Sequence, residues 1–254
     1  MNALLTAIVA FAGIIAGAWF GAYLRKVLPE HHLTQETESA VRIGVGLIAT
    51  MAALVLGFLL ASAKGSFDIK SEEIRGSAAK LILLDRNLRQ YGTEADPIRA
   101  QLLATAKAKL DHQWVDVGAL AIVEPSAAGG PLAFERIQEG LRTLAPATPS
   151  QRLLQERALR LAEDLAQTRW LLVEQVSGSI PIPFLVLLIL WVALIFASLS
   201  LFAPNNWTVN AVLLACALSV SSAIFLIIEM DQPFGGVLRI SDAPFRNAIG
   251  YLER

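Results

Sequence analysis

Three kinds of side chain in this 254-residue sequence have types and spacings that could do chemistry: paired carboxylates, histidines and one cysteine. Glu229 and Asp231 close an apolar run inside LIIEMDQPFGGVLRIS, at residues 226–241. Two acids there, followed by Pro-Phe-Gly-Gly, could bind a cation or ring a pore mouth; equally, they mark the ordinary exit of a helix into water. His31 and His32 are adjacent, and successive residues point in different directions, so they make a poor metal pair and read as exposed loop residues. His112, beside Asp111 and near Trp114, reads as a helix surface residue. Cys216 stands alone, which excludes an intrachain disulfide and a cysteine-based metal site, and it reads as a small core residue. No nucleophile–base set, phosphate-binding glycine loop or metal-ligand spacing occurs, so no enzyme, cofactor or metal is expected.

The elements that must carry these residues are set by composition. The chain is 55% hydrophobic and 17% charged, too apolar for an ordinary soluble core. Residues 2–23, 43–63, 180–203 and 207–228 hold no Asp, Glu, Lys, Arg or His. A run of about 20 such residues spans the hydrocarbon of a bilayer as a helix, so four transmembrane helices are expected. A cleavable signal is not expected, because MN offers no basic segment and the first run is too long. A net charge of -1 gives no reason to expect nucleic acid as partner.

Four spans place both termini and residues 64–178 on one side. Lys64, Lys70, Arg75, Lys80, Arg160, Arg169, Arg239 and Arg246 stand there, against Arg25, Lys26 and Arg42 in the short loop, so the positive-inside rule makes that side cytoplasmic. The first span alone votes the other way, with its basic residues after it.

Between spans 2 and 3 the apolar positions recur at helical spacing. Ile74, Ala78, Leu81, Leu84, Leu88 and Tyr91 continue from Phe67; Gly92 stops that helix, and Asp96-Pro97 caps and opens the next. That second helix carries Leu103, Ala106, Leu110, Trp114 and Val117. A third, after AAGGP, uses Phe134, Ile137, Leu141 and Leu144. The fourth opens on the capping box Thr148-Pro149-Ser150-Gln151 and runs through Leu154, Ala158, Leu161, Leu165 and Leu172. Nothing between residues 43 and 91 is a strong helix breaker, so one rod of about 70 Å is expected. Ser177, Gly178, Pro181 and Pro183 predict a break before span 3, and SDAPF predicts a short terminal helix with Phe245, Ile249 and Leu252 on one face.

The fold class is therefore an all-α integral membrane protein. Residues 1–63 hold helices 1 and 2, 64–178 an inserted helical cytoplasmic domain, 179–230 helices 3 and 4, and 231–254 a C-terminal segment.

Within the spans, Gly13, Gly17 and Gly21, then Ala53, Gly57 and Ala61, and Ala211, Ala215, Ser219 and Ala223 form small-residue stripes for close helix packing, within or between subunits. Intramembrane acids, bases and mid-span Gly/Pro breaks are missing, so a proton-coupled or alternating-access transporter is not indicated. Ile48, Met51, Val55 and Leu59 fall opposite the small stripe of span 2 and read either as a dewetting gate in a pore wall or as a surface that faces lipid or a neighbour.

Two segments, GFLLASAKGSFDIKSEEIRGSAAKLILLDRNLRQYG at 57–92 and EMDQPFGGVLRISDAPF at 229–245, resemble the bestrophin-like family of prokaryotic membrane proteins, and the layout agrees over nearly the whole chain. The resemblance implies a pentameric homo-oligomer in the bacterial inner membrane, with the second span facing a central axis and small inorganic ions passing passively. It departs from animal bestrophins in two places. Only Glu229, Asp231 and Asp242 stand where those carry a dense acidic calcium clasp, and Phe58 is the only aromatic between Val41 and Lys64. The rival expectation is a non-conducting assembly whose domain binds a partner.

Overall fold

The computed structural model describes residues 2–115, 133–174, 181–204, 206–231 and 236–254. Val117, the AAGGP segment, Ser177, Gly178, Pro233 and Gly235 lie outside the described residues, as do the side chains of Asp111, His112, Trp114, Arg169 and Leu172. Every long element among the described residues is helical: α1 (Ala3–Val27), α2 (Gln35–Tyr91), α3 (Asp96–Val115), α4 (Ala133–Thr143), α5 (Pro149–Glu174), α6 (Ile182–Phe202), α7 (Trp207–Asp231) and α8 (Ala243–Leu252). Short 3-10 turns occupy Glu30–His32 and Thr93–Ala95. Four of the helices, α1, α2, α6 and α7, are long and apolar enough to cross a membrane.

Local chemistry sets the helix ends. Asn2 caps α1 by accepting from the Leu4 amide at 3.2 Å, and Leu28, held extended before Pro29, closes it. The side chain of Asn206 does the same for α7, accepting from the Val209 amide at 2.9 Å. No proline interrupts the 57 residues of α2; Gly92, at a φ of 125° that other residues rarely adopt, ends it. Pro181 caps α6 and Pro183 lies in its first turn, where a missing amide hydrogen costs nothing.

The chain divides into two compact units. One comprises Met1–Ser66 and Gly178–Asp231, the other Phe67–Ser177 and Gln232–Arg254. The C-terminal segment therefore belongs with the helical domain rather than standing apart. In the first unit, Ile14, Leu59, Leu188, Phe196, Ile224 and Ile227 are among the residues of a continuous apolar core. α1 packs on α6 and α7.

The second unit is a helical bundle around Ile74, Leu81, Leu84, Leu88, Leu102 and Phe245. The deepest positions of α3 are Leu102, Ala106 and Thr105, with Ile98 next; Leu103, expected to open the apolar stripe, is only partly buried. At the start of α5 the capping box forms: the Gln151 amide donates to Thr148 Oγ1 at 3.1 Å, and Gln151 Oε1 accepts from the Thr148 amide at 3.2 Å. That same oxygen accepts from Ala147 N at 2.9 Å, while Gln151 Nε2 donates to the Tyr91 carbonyl at 3.0 Å. Gln155 Nε2 donates to the carbonyls of Leu141 and Leu144, satisfying the otherwise open end of α4. Asp96, expected as a cap, instead has helical dihedrals and pairs with Arg99 at 3.3 Å.

α8 forms as expected, with Phe245, Ile249 and Leu252 buried, and packs on α3. Its cap comes from Ser241, whose Oγ accepts from the Ala243 amide at 3.2 Å, because the Asp242 carboxylate is taken by Arg246.

Candidate functional site

In the membrane unit the three small-residue stripes have different surroundings. Gly13, Gly17 and Gly21 meet α6 of the same chain. A Cβ added at Gly17 would lie 2.9 Å from the Ala193 carbonyl carbon, and one at Gly21 would lie 2.7 Å from that of Ala197. The two backbones touch there, which only glycine permits. At Gly13 the nearest atom is the Ile189 Cγ2 at 3.5 Å, an ordinary contact. By contrast Ala53, Gly57 and Ala61 on α2, and Ala211, Ala215 and Ser219 on α7, are exposed in the single chain, with Ala223 half-exposed.

The proposed gate residues do not share one open surface. Leu59 is 1% exposed, sealed in the apolar core of the unit, and Val55 packs against the same core. Ile48 is half-buried, and Met51, 46% exposed, sits at the edge of the open side. Of these four, Leu59 and Val55 face the apolar core of the chain's own membrane unit. The free face of α2 carries Ile43, Leu47, Thr50, Leu54, Gly57 and Ala61, spaced at three and four residues.

Three hydroxyls in the spans are spent locally, whereas the buried Ser221 Oγ has no hydrogen-bond partner among the described residues. Thr50 donates to Leu47 O at 2.7 Å, Ser219 to Ala215 O at 2.9 Å and Ser222 to Leu218 O at 2.8 Å. Cys216 is exposed rather than in the core, because it lies on the outward side of α7.

The two acids at the end of α7 also separate. Glu229 is 5% exposed, whereas Asp231 is half-buried, and both take part in interactions. Glu229 is thus not an open carboxylate in the single chain. His31 and His32 are exposed with ring centroids 4.2 Å apart. Among the described residues no group of three metal-binding side chains gathers.

In the helical unit the dominant electrostatic feature is Asp85. Its Oδ1 accepts from Arg99 Nε at 2.8 Å, and its Oδ2 lies 3.5 Å from Arg89. The Asp85 carboxylate holds the Arg99 guanidinium above its ordinary value, against the opposing effect of burial.

This arrangement of apolar spans and a helical bundle recurs among known proteins. The profile of the bestrophin-like domain matches residues 12–245. The chain belongs to the bestrophin-like family. Its fold is also that of a bacterial bestrophin homologue from Klebsiella pneumoniae. One single-substitution form of that protein aligns over 100% of both chains with a TM-score of 0.64 at 18% identity. Another aligns over 99% of this chain and 97% of that one, with a TM-score of 0.68 at 17% identity. No curated protein matches the sequence.

The burial of several polar residues of this bestrophin-like chain, Lys70, Ser77 and Asp85 among them, was not expected from the sequence. Lys70 and Ser77 are buried on the core side of α2, in register with Ile74, Leu81 and Leu88. Their spacing signalled it; their residue types did not.

Proposed function

We propose that this bestrophin-like protein is a homo-oligomeric passive ion channel of the bacterial inner membrane, pentameric by family resemblance, with the membrane part of α2 as its pore wall. The observation that carries the reading is the asymmetry of α2. Its Leu59 side is filled by the chain's own helices, while the face with Ile43, Leu47, Thr50, Leu54, Gly57 and Ala61 is open. An axis lined by copies of that face would be narrow and uncharged, and ions would cross it with selectivity set by its width and by groups at the mouths. Asp231 is the mouth charge in this reading. Spans free of ionisable groups support passive conduction over a charge-relay mechanism. The helical unit and both termini are cytoplasmic by the distribution of Lys and Arg.

Purified protein in liposomes tests this directly. Dissipation of an imposed chloride or potassium gradient under voltage supports the channel; gradients left intact by a correctly assembled oligomer would favour a non-conducting scaffold. Asp231→Asn shifts the reversal potential in a salt gradient, whereas Glu229→Gln leaves it in place.

A further inference from the structure

At about 3.6 residues per turn, eighteen residues complete five turns, so positions that far apart on α2 share one direction around its axis. The open face that runs from Ile43 to Ala61 therefore recurs further along the same helix. Its images are Ala61, Gly65, Asp68, Glu72, Arg75 and Ala79, and each of them is exposed. The covered side keeps the same register: Ala52 and Lys70, Leu59 and Ser77, and Ala63 and Leu81 are pairs at that interval, and all are buried.

The chemistry of the face changes along its length. Asp68 takes the direction of Thr50, Glu72 that of Leu54 and Arg75 that of Gly57. Asp68 takes part in an interaction within the chain. Glu72 and Arg75 form no ion pair or side-chain hydrogen bond among the described residues, so each presents a full charge at pH 7. Glu72 stands about 16 Å beyond Ala61 along the helix, and Arg75 about 4.5 Å further. In an assembly of copies around an axis each residue becomes a ring, and rings of charged side chains discriminate between ions by sign.

We propose, on the reading that α2 lines the conduction path, that Glu72 and Arg75 are specificity-determining residues: the Glu72 carboxylate draws cations and the Arg75 guanidinium draws anions. Asp231 then acts at the mouth, and these two act on the path itself.

Full-length protein in planar bilayers, under a potassium chloride gradient, tests this through the reversal potential. Glu72→Gln moves it towards the chloride equilibrium value, and Arg75→Gln moves it towards that of potassium. Each changes the permeability ratio by roughly two- to fivefold, the effect of removing a unit charge about 4–8 Å away across water. Arg152→Gln, which removes an exposed charge from α5, leaves the potential in place. If the wild type conducts and neither α2 variant shifts the potential, or both shift it the same way, the proposal is overturned while the channel stands. An equal shift in Arg152→Gln also overturns it, since surface charge in general would then be responsible. A correctly assembled wild type that passes no current removes the channel reading and this one with it.

Discussion

Replacing Gly21 with alanine tests the packing of the membrane unit at its tightest point. The new methyl would sit 2.7 Å from the Ala197 carbonyl carbon, where ordinary contact begins at 3.4 Å. The Ala197 carbonyl oxygen lies closer still, and the backbone of α6 cannot swing aside as a side chain would, so α1 and α6 must part by more than about 0.7 Å at that level, forfeiting at least a quarter to a half of the attraction between the atoms involved. Overpacking of this kind costs about 2 kcal/mol, or about 4–8 °C in melting temperature for a chain of this length. Gly13→Ala is the internal control. Its methyl meets Ile189 Cγ2 at 3.5 Å, and alanine is the better helix former, so that variant melts at or above wild type. The measurement is thermal unfolding in detergent, followed by tryptophan fluorescence. If Gly21→Ala melts as high as Gly13→Ala, the inferred backbone contact is wrong.

Four further substitutions probe the remaining structure. Leu59→Ala opens a cavity in a filled core and lowers stability by about 2–5 kcal/mol, read from the same melting experiment; an unchanged melting temperature would return Leu59 to an open surface. Asp85→Ala leaves the Arg99 guanidinium with only the exposed Asp96 and costs up to about 3–5 kcal/mol, while Asp96→Ala removes the exposed partner and costs under about 1 kcal/mol. Tyr91 is buried with no partner for its hydroxyl among the described residues, so Tyr91→Phe is neutral or stabilising at pH 7. Burial, with Glu94 adding to it, raises the Tyr91 phenol above its ordinary value of 10.0. The unfolded chain then loses that proton first, so wild-type stability falls as pH rises through 10 and on towards the folded value. Tyr91→Phe lacks that component of the alkaline loss, which parallel melts between pH 8 and 11 would reveal.

The spans and the apolar stripes were legible because they depend on one-dimensional facts: which residues lack charge, and at what spacing leucines recur. The Thr148–Gln151 cap was legible for the same reason, since its partners are three residues apart. On α3 the spacing admitted two answers, because Leu102 and Leu103 are adjacent, and only packing against the other helices selects Leu102. The stripe of Ile48, Met51, Val55 and Leu59 was open in the same way. Periodicity divides α2 into faces, but whether Leu59 looks inward or outward depends on where α1, α6 and α7 lie. Glu229 and Cys216 also exchanged their expected environments, since burial at the end and middle of α7 is a property of the assembled unit. Lys70 sat at the right interval throughout but was counted only among the basic residues of the domain side.

One amide side chain, Gln151, joins the loop before α5, the first turn of α5 and the last residue of α2. These segments are sixty residues apart in sequence at the extreme, between Tyr91 and Gln151. None can fray without releasing the others' bonds to that residue. Backbone protons at Ala147, Thr148 and Gln151 should therefore exchange with deuterium as one cooperative group, making this corner of the bundle a clasp that opens all at once.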